Sequence, residues 1–335
     1  MKLSICIPTL NREDFIQETL QSILINNSID VEVVIVDGNK NQATENIALE
    51  FASSGININY MKSDAYSGMD LDVIQAVNNS VGEYCWLMSD DDTLTNNAIN
   101  TVLKKIESNN DIYLMNIFYC DKDLNKFGVS KFLSHDRKGD VFNIACMNSF
   151  SDYINYSTSN NALLCFMPAI VFKRKNWVNY DNQPKDYTYG YNHVFKLFDP
   201  INFLSEYYIE YIDEPLLMNR SFNDSYSSSG ILRRYLIDFE GYIKLSDQLF
   251  KDNQPIKNIF LGNMKKEHSP LRLAKLRTMI DDEDWKFVKV LLLKIGYSKT
   301  LIFFINLINF LKISTFFIPI LNKLNMFIKK VKTTS

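Results

Sequence analysis

Three consecutive aspartates, Asp90-Asp91-Asp92, follow the apolar stretch at residues 84–88. Adjacent carboxylates repel one another, so such a run needs a compensating positive charge. A divalent cation, Mn2+ or Mg2+, supplies one, because it takes oxygen ligands, commonly one or two carboxylates together with substrate phosphate oxygens. A cation held there bridges protein and diphosphate and, as a Lewis acid, stabilises the leaving diphosphate by roughly several kcal/mol. The competing reading is an acidic turn in which Asp92 or Thr93 only caps the next helix. Two more polar clusters stand behind apolar runs in the same way. Pro8-Thr9, with Arg12 shortly after, follows residues 3–7, and Asp37-Gly38-Asn39 follows residues 31–36.

The elements that position these clusters can be read from periodicity. Residues 3–7, 31–36, 56–61, 84–88 and 112–118 are short apolar runs that read as strands, the first stopped by Pro8. Between them, residues from Phe15 to Leu24, 41–54, 68–80 and 95–106 read as helices, and Asn11 is placed to cap the first. Met69, Val73, Ile74 and Val77 share one face of the third. Strands alternating with helices of this length imply crossover connections, hence an α/β fold with a mostly parallel sheet. Ligands of open α/β sheets bind beyond the carboxyl ends of the strands. All three polar clusters fall at such ends, so they converge on one edge.

The residues and spacing of Ser4 to Arg12 (SICIPTLNR), Val33 to Asn39 (VVIVDGN) and Gly82 to Asp92 (GEYCWLMSDDD) resemble the family 2 glycosyltransferases of the GT-A fold. The resemblance is strong over residues 1–118 and fades towards residue 225. It is nearest to the bacterial branch that builds O-antigen and capsular polysaccharides. It implies a Rossmann-like GT-A domain that moves a sugar, with inversion, from a nucleotide diphosphate sugar to a hydroxyl of a glycan. Pro8, Thr9 and Arg12 would then line the nucleotide pocket, with Asp91 in the same pocket. Asp37 would hydrogen-bond the base or ribose, and Asp64 would lie near the base. Asp92 would be the direct metal ligand, with Asp90 on the ribose or the metal. Where the family turn has two acids before its glycine, this chain has Val36-Asp37, so the nucleoside atom that Asp37 reads is left open.

An inverting transfer needs a base to take the acceptor's proton. The resemblance points to an acid in the second half, where Asp186 is nearest; His193 is the other candidate, as base or as metal ligand, against the plainer reading of a packed histidine. Arg220 borders the polar stretch 219–230, read as a mobile loop whose arginine closes over the diphosphate. A solvated loop charge is the alternative.

The net charge of −3 conceals an asymmetry. Residues 285–335 hold nine lysines and no acid or arginine, which leaves −12 over residues 1–284. An acidic body argues against nucleic acid as a partner. The basic end is also apolar over residues 301–328, interrupted by Asn306, Asn309, Lys312, Asn322 and Lys323 and by Pro319. This pattern suits helices lying on an anionic membrane surface better than a span. A lipid-linked acceptor would be reached from there, on the cytoplasmic face. The five cysteines are odd in number and lack a C-x-x-C pair, which excludes a disulfide framework or a zinc site and fits a reduced compartment. The expected organisation is a catalytic domain over 1–225 (donor half 1–118, acceptor half 119–225), a helical region over 226–296 and a membrane-surface tail over 297–335. Two alternatives remain: a non-catalytic membrane-associated partner that keeps the fold, and a sugar-phosphate nucleotidyltransferase, which the missing glycine-rich loop after the first strand disfavours.

Overall fold

The structure is a computed structural model and describes residues 1–63, 68–134, 136–137, 139–178, 190–221, 223 and 230–310. It divides into two compact units, Met1–Phe222 and Asn223–Ser335. The first unit opens with β1 (Leu3–Thr9), α1 (Glu13–Ile25), β2 (Val31–Asp37), α2 (Ala43–Ser53), β3 (Ile58–Lys62), α3 (Met69–Asn78) and β4 (Tyr84–Leu87). It continues through β5 (Thr93–Leu94), α4 (Ala98–Lys105), β6 (Ile112–Cys120), β7 (Lys126–Ser130), β8 (Val141–Asn143) and α5 (Met147–Tyr156). It ends with β9 (Ile170–Lys173), α6 (Arg174–Val178), α7 (Asn192–Phe198) and the long β10 (Tyr208–Arg220).

The strands form one sheet in the order β3-β2-β1-β4-β9-β6-β10-β5, with β7 on β6 and β8 on β10. β3, β2, β1 and β4 pair in parallel, as do β6 and β10. β9 lies antiparallel between β4 and β6, so both run the same way as β1. The apolar strands β1 and β2 are buried along nearly their whole length, as strands covered by crossover helices must be.

Pro8 does not stop β1. The strand runs on to Thr9, pairing Pro8 with Val36 and Thr9 with Asp37. Alternate residues of β1 face alternate neighbours: the Cys6 carbonyl accepts from Met88 N and the Thr9 carbonyl from Gly38 N. The missing N–H of Pro8 therefore faces the β4 side, where pairing has already ended at Leu87. Asn11 is likewise not a cap. It takes a left-handed conformation (φ 55°), and Arg12 occupies the N-cap position without a side-chain hydrogen bond.

At the opposite end of the sheet, Glu32 is buried in β2 and accepts from Ser4 Oγ (2.5 Å), Val81 N (2.6 Å) and Gly82 N (3.3 Å). This ties the turn before β4 against β1 and sets where β4 starts. Only glycine fits the approach, because a Cβ at Gly82 would lie 2.7 Å from Ser4 N and 2.8 Å from the Leu3 carbonyl carbon.

The second unit comprises α8 (Ile231–Leu249), α9 (Gln254–Glu267), α10 (Pro270–Met279), α11 (Asp282–Ile295) and α12 (Lys299–Phe310). Side chains of Asn253, Ser269 and Asp281 cap α9, α10 and α11, and Gly296 ends α11 at φ 95°. Asn306, which looked like an interruption of the apolar tail, accepts a hydrogen bond from Trp285 Nε1. On α12, Ile302 and Ile305 are buried, while Phe303, Phe304, Leu307 and Phe310 are exposed. Among the described residues no helix is long and apolar enough to cross a membrane. The tail beyond residue 310, with Lys312, Pro319, Asn322 and Lys323, lies outside the described residues.

Forcing a side chain into the Gly82 approach should open the β1–β4 contact. Gly82→Ala is expected to destabilise the protein by about 1–3 kcal/mol, the usual cost of overpacking. Urea denaturation would measure it, and an unchanged midpoint would contradict this account of the approach.

Candidate functional site

The three polar clusters meet at the carboxyl ends of β1, β2 and β4. β4 ends at Leu87, and the Ser89–Asp92 turn returns the chain into β5. Two buried hydroxyls of α1 hold this turn from beneath. The Thr19 hydroxyl lies between the carbonyl oxygens of Asp90 (2.9 Å) and Asp92 (2.7 Å), and Ser22 Oγ accepts from Leu94 N (3.0 Å). Both are polar residues among the apolar positions Ile16, Leu20 and Ile23 on the buried side of α1. A polar residue on an otherwise apolar face was the signal by which the sequence could have disclosed them.

The three aspartates do different work. Asp92 is fully buried, and both its oxygens are in use: Oδ1 accepts from Asn219 Nδ2 (3.0 Å) and Arg220 N (3.0 Å), and Oδ2 from Ser89 Oγ (2.7 Å). It ties the β4–β5 turn to the end of β10. Three of the acceptor positions of this carboxylate are thus taken by the chain's own donors, whereas its two neighbours are engaged less fully by the chain. Asp91 receives Arg12 Nη1 at 2.6 Å, and Asp90 accepts from Thr9 Oγ1 at 2.8 Å with Arg12 Nη1 3.8 Å from its other oxygen. The side chains of Asp90 and Asp91 retain 11% and 14% exposure, against none for the residue Asp92. Burial, and then the charge of Asp91, push the Asp90 carboxyl up to about 7, with Arg12 and the Thr9 hydroxyl acting the other way. Asp92 is raised for the same two reasons.

Arg220 is not a loop residue. It closes β10 and its side chain is 4% exposed. Its guanidinium pairs with Glu18, donates to the carbonyl of Asp91 (3.2 Å) and meets the carbonyl of Lys122. With its donors committed in this way, it braces the aspartate turn instead of closing over a ligand. The ring centroid of Phe15 lies 5.7 Å from Arg12 Cζ and 5.1 Å from Arg220 Cζ.

Asp37 is also fully buried and engaged. Oδ1 accepts from Asn39 N (2.8 Å), and Oδ2 from Tyr60 OH (2.7 Å) and Lys62 Nζ (2.8 Å). Lys62 donates further to the carbonyls of Asn39 (3.0 Å) and Asn41 (2.6 Å), so it stitches the loop after β2. A direct contact from Asp37 to a nucleoside would require one of these partners to move. Pro8 is only partly buried beside Thr9 at the end of β1, and Asn39 Oδ1 accepts from Asn11 N (2.8 Å), which joins the first two clusters.

Asp64 and Asp186 are outside the described residues. His193 is buried in α7, with Nε2 3.0 Å from the carbonyl of Leu164, and burial lowers its pKa to about 4. A neutral, enclosed imidazole of this kind matches the plainer reading of a packed histidine. One acid was missed. Asp70 lies on the buried face of α3 and accepts from Gly190 N (2.9 Å) and Asn192 N (3.3 Å), anchoring the start of α7. Its position three residues before Val73 and seven before Val77 put a carboxylate on an apolar stripe. Burial raises it to about 6 against those two N–H donors. Cys6, Cys85 and Cys120 are buried thiols, and all five cysteines are free.

Comparison with known proteins bears on this arrangement. The family model for glycosyl transferase family 2 matches residues 4–172. Abequosyltransferase RfbV of Salmonella typhimurium is 28% identical over 274 residues, covering 80% of this chain and 81% of its own length. The GalNAc(5)-diNAcBac-PP-undecaprenol beta-1,3-glucosyltransferase of Campylobacter jejuni is 26% identical over 105 residues, 31% of this chain and 34% of its own length. Among solved structures, S. aureus TarS 1-349 superposes with a TM-score of 0.64 at 16% identity, covering 88% of this chain and 80% of that one. The mannosyltransferase PcManGT of Pyrobaculum calidifontis, solved in complex with GDP-Man and Mn2+, gives a TM-score of 0.52 at 13% identity, covering 94% and 86%. At such identities the two structures speak for the fold, in which a mixed α/β domain carries a mostly parallel central sheet.

The raised carboxyl of Asp90 makes stability depend on pH. A group whose folded pKa lies above its unfolded value stabilises fully below the unfolded value, about 3.8, and that contribution is lost as pH rises through about 7. In chelator, the thermal midpoint should therefore fall between pH 5 and pH 8, and Asp90→Asn should flatten the fall. A midpoint that rises over this range, or a slope indifferent to the substitution, would contradict the assignment.

Proposed function

The chain belongs to glycosyl transferase family 2, and we propose that Thr9, Arg12, Asp90 and Asp91 hold the diphosphate end of its nucleotide-sugar donor. The observation that carries this reading is the placement of Asp90 and Asp91. They are two adjacent, partly exposed carboxylates at the end of β4, sharing one guanidinium, while Asp92 behind them is consumed as a strut. The donor set fits a divalent cation. Oxygen ligands are what Mg2+ and Mn2+ require, and two carboxylates leave room for phosphate oxygens and water. Bound there, such a cation would neutralise charge on the departing diphosphate. Thr9 orients Asp90, Arg12 supplies a fixed positive charge, and Asp92 with Thr19 and Arg220 keeps the turn from rearranging as charge develops.

The reaction in this reading is transfer of a sugar, with inversion, onto a hydroxyl of a bacterial surface glycan. The Campylobacter relative is named for a PP-undecaprenol substrate, which supports a lipid-linked acceptor here. Asp37 and the residues around it face the nucleoside. Asp186 is the proposed base. The catalytic domain ends near residue 222–225, a helical region follows, and the basic tail rests on an anionic membrane at the cytoplasmic face. The exposed Phe303, Phe304, Leu307 and Phe310, together with nine lysines in residues 285–335, support the last point.

Nucleoside diphosphate binding measured by calorimetry should be strengthened by Mn2+, and Asp91→Asn should remove most of that gain. Binding that ignores both the metal and the substitution would overturn the cation site. Removing residues 311–335 deletes five of the lysines and should weaken binding to anionic vesicles by roughly tenfold or more. Undiminished vesicle binding would end the membrane proposal.

A further inference from the structure

Arg12 and Arg220 both lie close to the ring of Phe15 but in different settings. Arg220 is rooted at the end of a strand, 4% exposed, and committed to Glu18 and to two carbonyl groups. Arg12 stands at the N-cap of α1, after the left-handed Asn11, and its side chain is 19% exposed. Its Nη1 sits 2.6 Å from Asp91 Oδ2 and 3.8 Å from Asp90 Oδ1, so one guanidinium lies against both carboxylates that the proposed function gives to the cation.

A divalent cation and this guanidinium compete for the same carboxylate oxygens, and two cations a few ångströms apart repel each other. A diphosphate resolves the conflict. It brings negative charge beside the cation and offers the planar, bidentate partner that a guanidinium prefers. Arg12 is placed for that exchange, at the loop end before α1 with its side chain 19% exposed, whereas Arg220 is 4% exposed at the end of β10.

We propose that Arg12 is the resident countercharge of the site: it holds Asp91 until a divalent cation takes that carboxylate, and then moves onto the donor's diphosphate. Metal and donor are therefore coupled through one side chain, and the empty site disfavours a cation that arrives alone. This rests on the reading of Asp90 and Asp91 as the cation site.

The test is Mn2+ binding to the full chain, followed by electron paramagnetic resonance, without and with inorganic diphosphate. Wild type should bind Mn2+ weakly alone and more tightly with diphosphate. Arg12→Ala should bind Mn2+ alone roughly tenfold more tightly than wild type, the usual scale of a coupling between two ligands, and should lose most of the gain from diphosphate. Arg12→Lys, which keeps the charge, should behave as wild type for Mn2+ alone. Arg12→Gln repeats the neutral arm with a longer, polar side chain, and circular dichroism confirms that each variant is folded. Mn2+ binding alone that is unchanged or weakened in both neutral variants overturns the inference while leaving the cation site standing. A failure of wild type and variants alike to bind Mn2+, with or without diphosphate, removes the cation site and the inference with it.

Discussion

The site depends on one buried carboxylate. Asp92 joins the turn after β4 to the last residues of β10 through Asn219 and the Arg220 backbone, and it fixes Ser89 on the turn's own side. An unpaired carboxylate in such a position costs several kcal/mol, so these donors are a condition of its being there. Once they are present, the turn cannot slide, and the two preceding acids are held outward. The Thr19 hydroxyl beneath and the Arg220 guanidinium on the Asp91 carbonyl close the remaining directions. Elements far apart in sequence thus hold one tetrapeptide in place, as a preorganised electrostatic site requires.

Burial divides the acids of this edge by role. Asp37 and Asp92 are fully enclosed and spend their oxygens on the chain's own donors, one stitching the loop after β2 through Lys62, the other bracing the turn after β4. Asp90 and Asp91 keep some exposure and share Arg12. The enclosed acids build the frame, and the less enclosed pair is the one proposed to take the cation. Asp70 extends the first class across the molecule, because its carboxylate on α3 holds the backbone at the start of α7 and so links the donor side to the acceptor side.

Much of the donor half was legible from sequence because its signals are local. Apolar runs such as Val31 to Val36 give strands, periodic helices separate them, and polar residues at strand ends mark the binding edge. What could not be read are the long-range hydrogen bonds that decide which acid is free. Nothing in a run of three aspartates says that the third is consumed, since its partners Asn219 and Arg220 lie more than 120 residues away. Arg220 looked like loop because it borders a serine-rich stretch, yet the pairing of β10 with β6 runs through to Arg220 and Cys120. Pro8 looked like a strand end because its missing N–H normally costs a ladder bond, and here the neighbour has already stopped. His193 carried no signal of its surroundings, and only the fold shows its ring enclosed against Leu164.

Asp90, Asp91 and Asp92 divide the work of the turn after β4, two set towards the cation and one towards the frame. A crystal structure of the protein with Mn2+ and a nucleoside diphosphate tests this division most directly. The account predicts a cation at about 2.0–2.2 Å from an oxygen of Asp91 or Asp90, with Asp92 still bonded to Asn219 and Arg220. A cation ligated by Asp92, with those bonds broken and Asp91 left on Arg12, would contradict it.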